Sequence, residues 1–195
     1  MRVRLPVLVP MLVLAPLALL VGCTASDPER PPVVKEPRLS DVPAARGDAL
    51  LRRAMIAGHN AARAAVGAPP LTWNDELAAD AARYAATLAA TRDFKHSTGV
   101  RGRTPEGENL FMGSRGAYRY DEMVRLWVDE GRMYRPGVFP DISTTGRWQE
   151  VGHYTQIVWR RTREVGCGLA SSRSDDYLVC RYTPPGNVVG SRVEG

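Results

Sequence analysis

Cysteine is scarce in this 195-residue chain, three in all, which excludes a disulfide-dense miniprotein. There are also only three histidines, so each can be weighed singly as a base or a ligand. The chain has no Cys-x-x-Cys pair, which removes the usual redox-active dithiol. Nor does it have a Gly-x-Ser-x-Gly nucleophile elbow, so a serine hydrolase of that kind is a poor reading. No segment repeats at a solenoid period. Neither sign of charge dominates: 26 Lys+Arg stand against 21 Asp+Glu, and two of those bases, Arg2 and Arg4, lie in a leader. Such a mild excess calls for no nucleic-acid partner. Hydrophobic residues at 44% and charged residues at 24% match globular averages, which excludes wholesale disorder, collagen and coiled coil. The length suits one domain with tails.

Residues 1–23 read MRVRLPVLVPMLVLAPLALLVGC. A basic start, an apolar run from Leu5 to Val21 and a small residue before Cys23 describe an export signal. Pro6, Pro10 and Pro16 interrupt a run already short for a membrane-spanning helix. The end of that run, Leu20-Val21-Gly22-Cys23, resembles the bacterial lipobox. The resemblance implies a signal peptide over 1–22, cleavage before Cys23 and acylation of Cys23, several acyl chains giving stable anchoring. The expected location is thus the bacterial cell envelope, as an exported, membrane-anchored lipoprotein. Residues 23–46 carry Pro28, Pro31, Pro32, Pro37 and Pro43, balanced charges and no aromatic residue, and read as an extended linker. The folded domain is then expected over 47–195.

Within it, Asp48 can start a helix running to Val66, closed by Gly67 and the Pro69-Pro70 pair. Asn74 caps a second helix whose residues Leu77, Ala81, Tyr84, Ala85 and Leu88 share one face, ending near Arg92–Phe94. Residues 97–119 and 131–150 read as loop, with a third helix from Tyr120 to about Glu130 or Gly131 between them. Thr155–Trp159, Val165–Ala170 and Tyr177–Tyr182 read as strands. Helices first and strands last argue an α+β fold on an antiparallel sheet. Cys167 and Cys180 flank the turn Ser171–Asp176, so a hairpin brings them side by side, and in an exported chain they are expected to form a disulfide.

Taken singly, His59, His96 and His153 each read as structural hydrogen-bonding residues. Glu130 is the anomaly: Met123, Trp127 and Glu130 share one helical stripe, and a carboxylate there must find donors or a cation. Glu108 looks like a turn residue. Spacing alone does not link these side chains.

A family resemblance does. Gly152-His153-Tyr154-Thr155-Gln156-Ile157-Val158-Trp159 with Thr162, and Tyr177-Leu178-Val179-Cys180-Arg181-Tyr182-Thr183-Pro184-Pro185-Gly186-Asn187-Val188, resemble the two signatures of the CAP superfamily. That superfamily groups cysteine-rich secretory proteins, wasp-venom antigens and plant pathogenesis-related proteins. His59-Asn60 with Arg63, and Gly107-Glu108-Asn109-Leu110, resemble two further motifs in the same order. The resemblance implies a three-layer α-β-α sandwich with a central antiparallel sheet. It also implies a cleft where His96, Glu108, Glu130 and His153 meet. In that tetrad His96 and His153 would hold a divalent metal (Zn, Mg or Ca), which folding does not require.

The function so implied is binding of a lipid or an envelope polymer in the cleft. The alternative is a metal-dependent hydrolase, a peptidase or esterase, with Glu108 or Glu130 as general base. Two histidines fall short of the three protein ligands usual at catalytic zinc, which places binding ahead of catalysis. A surface interaction protein with a vestigial cleft is the third reading. Arg101, Arg103, Arg115, Arg119, Arg160, Arg161 and Arg163 are candidates for attracting anionic envelope polymers.

Overall fold

The computed structural model describes residues 42–98 and 105–195. The signal peptide, Cys23, most of the linker, Arg101 and Arg103 lie outside the described residues. Among the described residues four α-helices and four strands make up the fold: α1 (Asp48–Ala65), β1 (Thr72–Trp73), α2 (Asp75–Thr91), β2 (Gly107–Ser114), α3 (Tyr120–Asp129), α4 (Gly152–Val158), β3 (Glu164–Ser171) and β4 (Asp175–Thr183).

The sheet runs β1-β3-β4-β2. Its antiparallel heart is the β3–β4 hairpin, with β2 antiparallel on the other edge of β4, while the two-residue β1 joins β3 in parallel. Alternation along β4 sorts the core into two layers. Tyr177 and Val179 face α2 with Leu110 of β2 and with Ala81, Ala85 and Leu88 of the helix. Leu178, Cys180 and Tyr182 face the opposite side, with Met55 of α1, Met123 and Trp127 of α3 and Ile157 of α4. One helix on one face and three on the other make the expected three layers.

Small residues set how closely α2 lies on the sheet. Asn74 accepts from the backbone N–H groups of Glu76 and Leu77 and so fixes the start of the helix. A Cβ on Gly168 would stand 2.4 Å from the Ala82 backbone, so only glycine in β3 admits the helix at this distance. Arg92, in the left-handed conformation, ends α2 and turns the chain toward His96.

Cys167 and Cys180 stand directly opposite in the β3–β4 register and are joined by a disulfide. Ala44 and Arg46, in the segment read as linker, bond to the domain. Ala44 donates to the Gly116 carbonyl, and the Arg46 guanidinium pairs with buried Asp176 at 2.5 Å.

Two segments differ from the sequence-based expectation. Residues 107–114, read as loop, form strand β2, held over its whole length by pairing with β4. Thr155–Trp159, read as a strand, lies mostly within helix α4. The β-branched and aromatic residues of that run favour a strand, but remote partners satisfy both ends of a helix instead. At its start the Glu130 carboxylate accepts from the N–H groups of His153 and Tyr154. At its end Arg63, fully buried, donates to the carbonyls of Ile157 and Trp159 and, beyond them, of Thr162.

Candidate functional site

The residues singled out in the sequence come together as two histidine–glutamate pairs at the start of β2. His96, five residues past the end of α2, directs Nδ1 to Glu108 Oε1 at 2.7 Å. His153, in the first turn of α4, directs Nδ1 to Glu130 Oε1 at 2.6 Å. Each ring is more exposed than its acid: the His96 side chain is 55% exposed above a Glu108 that is 8% exposed. A carboxylate accepts, so in each neutral ring Nδ1 carries the proton and Nε2 keeps its lone pair. Among the described residues neither Nε2 has a hydrogen-bond partner.

Glu108 sits on the α2 face of the sheet and is held from several sides. Ser97 N–H donates to its Oε1 at 3.0 Å, and Arg181, opposite it in the β4 register, brings a guanidinium nitrogen within 3.0 Å of Oε2. Burial alone would raise its pKa. The His96 hydrogen bond, the Arg181 charge and the Ser97 N–H together outweigh that and hold the carboxyl below its usual range. Arg181 also pairs with Glu106 and lies 5.3 Å over the Tyr84 ring. Burial, with the Glu108 charge second, raises the Tyr84 hydroxyl.

Glu130 follows α3 directly and opens a short 3₁₀ turn. The donors its place on the apolar stripe called for are the His153 ring and the N–H groups of His153 and Tyr154. His153 is stacked on Trp127, ring centroids 5.7 Å apart. Asn109, the neighbour of Glu108 on β2 but on the opposite face, donates to the His153 carbonyl at 3.1 Å and so ties one pair to the other.

His59 does not join them. It is fully buried in α1, bonded to the Met55 carbonyl and the Tyr182 hydroxyl, and burial lowers its pKa to about 4. Arg63, from the same motif, is lowered to about 10 by burial and by Arg163 and Arg160 nearby.

A groove of about 1060 Å³ opens beside the first pair. Its lining includes His96, Glu108, Tyr84, Arg181, Arg83 and Lys95 together with Pro185, Asn187, Trp148 and Phe139; His153 and Glu130 are not among its lining residues. Gln156 crosses between the walls and accepts from Gly186 N–H at 2.9 Å. It passes where a Cβ on residue 107 would stand 2.1 Å from its Oε1, which explains the glycine before Glu108. Arg181, Gln156 and Asn187 were visible in the signature runs without a role. Tyr84 read only as part of an apolar face, because its place beside a carboxylate depends on how α2 lies on β2.

Among the described residues no group of three or more His, Cys, Asp or Glu side chains is placed to hold a metal ion. The carboxylates accept from imidazole Nδ1 and from backbone N–H groups, and Glu108 Oε2, which has no hydrogen bond, is ion-paired with Arg181. The donor set that remains is two imidazole nitrogens, which does not fit a closed four-ligand zinc site. The pairs do have the form in which a carboxylate orients an imidazole for a ligand at its other nitrogen.

Residues 56–182 match the family described as CAP: Cysteine-rich secretory protein family. The chain is 44% identical over 133 residues to pathogenesis-related protein 1C of Nicotiana tabacum, covering 68% of this chain and 74% of that one. It is 38% identical over 136 residues to pathogenesis-related protein PRMS of Zea mays, covering 68% and 76%. Among solved structures, NaASP2 with Zn²⁺ superposes with a TM-score of 0.60 at 24% identity, over 79% of this chain and 88% of that one. Na-ASP-1 superposes with a TM-score of 0.60 at 22% identity, over 84% of this chain but 46% of its own length. With its layers, its paired histidines and its motifs all in place, the chain belongs to the CAP family of cysteine-rich secretory and pathogenesis-related proteins.

Proposed function

We propose that this protein is an exported CAP-domain binding module, tethered to the envelope membrane through acylated Cys23, that holds a lipid in the groove beside His96. The family is secretory by description, and the Cys167–Cys180 disulfide is in keeping with an oxidising compartment.

One observation carries the choice of ligand: the polar groups of Gln156, Asn187 and Tyr84, which line the groove, are already paired inside the protein. Gln156 Oε1 accepts from Gly186, and its amide donates to Thr162. Asn187 bonds Thr155 and Gly152, and the Tyr84 hydroxyl donates to the Lys95 carbonyl. Arg181 is paired with Glu106 and Glu108. The groove offers apolar surface from Pro185, Phe139, Trp148 and the Tyr84 ring, with charged Arg83 and Lys95 also among its lining residues. An acyl chain can lie on that apolar surface without needing polar partners. The polar end of the ligand would lie at His96, whose Nε2 has no hydrogen-bond partner among the described residues. His96 and His153 are the residues that would hold a divalent ion, which the binding role does not require.

The test is calorimetric titration of the mature chain carrying Cys23→Ser with a long-chain fatty acid and, separately, with a soluble envelope glycan fragment. Saturable binding of the fatty acid, weakened by Trp148→Ala, is expected. Binding of the glycan alone would overturn the lipid reading. Turnover of peptide or ester substrates that is lost in both His96→Ala and His153→Ala would favour the metal-dependent hydrolase instead. For the tether, unmodified protein should fractionate with membranes and Cys23→Ser should not.

A further inference from the structure

Among the described residues the large apolar side chains left exposed are Val42, Val66, Val138, Val188 and Val189. All but Val42 adjoin one group of arginines. Val138 is paired with Arg192 in an isolated antiparallel bridge. Val188 and Val189 lie on the turn before Arg192, where Ser191 N–H donates to the Val188 carbonyl at 3.0 Å. Arg160 N–H donates to the Val193 carbonyl at 2.9 Å, which sets the loop of Arg160, Arg161 and Arg163 beside that segment. On the other flank Arg160 Nη1 donates to the carbonyl of Gly67, next to Val66. The four arginines are exposed, and among the described residues none is ion-paired, whereas Arg83, Arg132, Arg135 and Arg147 each stand beside an acid. The nearby acids are engaged: Glu194 accepts from the Tyr134 hydroxyl, Asp141 pairs with Arg135, and Glu164 accepts from Asn74. Buried Arg63 adds a further positive charge close to Arg160 and Arg163.

We propose that this face, built from the 160–163 loop and the 188–192 turn with Val138, is a docking surface for an anionic phospholipid bilayer. Valines in water and guanidiniums without counter-ions each give a free-standing domain nothing. Together they match a headgroup layer, with phosphates at the level of the arginines and acyl chains within reach of the valines. The face also borders the groove: Asn187 and Phe139, next in the chain to Val188 and Val138, line it. A domain docked in this way holds that side of the groove at the headgroups. The docking does not depend on what the groove holds. Nor does it replace the acyl tether, because a few arginines and valines make a salt-sensitive contact that washing disrupts. The tether supplies the local concentration at which such a contact persists.

The experiment is co-sedimentation, without washing, of the mature chain carrying Cys23→Ser with vesicles of phosphatidylcholine alone or of an equal mixture with phosphatidylglycerol. Binding to the mixture, little binding to phosphatidylcholine alone, and release at high salt are expected. Arg161→Gln with Arg192→Gln removes two side chains that have no hydrogen bond among the described residues, and should weaken binding roughly tenfold or more. Val188→Ser with Val189→Ser should weaken it severalfold, and both double variants should melt as the parent chain does. Equal binding to the two kinds of vesicle, or full binding by either double variant, would overturn the proposal. Poly-glutamate held as tightly as the anionic vesicles would also overturn it and mark an acidic protein as the partner. Fatty-acid uptake, read by calorimetry, should be the same in both double variants as in the parent chain. A parallel loss of uptake and vesicle binding would place the contact in the groove and overturn the docking face.

Discussion

Acidification should weaken this protein well above the range in which carboxylates titrate, and His59 is the reason. Its pKa falls from 6.5 to about 4 on folding, chiefly because burial penalises the charged ring. Between those values the unfolded chain binds a proton that the folded one refuses, so stability falls as the pH falls. At 1.36 kcal/mol per unit the full effect is about 3 kcal/mol, of which about 2 kcal/mol should be lost between pH 7 and pH 5. Glu108 acts in the same direction but lower: its carboxyl is held below the usual range in the fold, so its contribution disappears only as the pH falls past 4.5 and through the folded value. Urea unfolding at pH 7, 6 and 5, with His59→Gln alongside, isolates the effect, because the variant keeps His96 and His153. The variant should be less stable at pH 7, having lost the bond to Met55, yet its stability should fall less steeply toward pH 5. Parallel curves for the two proteins would show that the buried ring does not refuse its proton.

Three further outcomes test the fold. Removing the disulfide with Cys167→Ser should cost about 3 kcal/mol, read as a shift of the denaturant midpoint at constant slope; equal midpoints for oxidised and reduced protein would count against it. Gly168→Ala should cost about 1–3 kcal/mol, since the new methyl meets the backbone of α2 and the helix must move away from the sheet. A melting temperature unchanged within error would mean the helix has slack that the packing denies. Arg63→Met should destabilise by several kcal/mol, because it strands the buried carbonyls of Ile157, Trp159 and Thr162, and should loosen α4 first, read as faster amide exchange at residues 155–158.

Local chemistry made part of this protein legible in one dimension. The Asn74 cap with its apolar face announced α2, the turn Ser171–Asp176 announced the β3–β4 hairpin, and that hairpin announced the disulfide. Glu130 was legible as an acid in need of donors, because helical periodicity alone puts it on the buried stripe. The motifs named the four side chains of the site but not their partition into two pairs.

What stayed hidden depends on groups remote along the chain. Residues 107–114 are a strand only because β4 supplies their partners, and α4 is a helix only because Glu130 and Arg63 satisfy its two ends. Backbone groups that cannot be left bare take whichever partner the tertiary fold brings, and that choice overrides the weak preference of a short run for one conformation. The same holds for Tyr84, Asn109 and Arg181, whose roles come from neighbours across the sheet and not from neighbours in sequence.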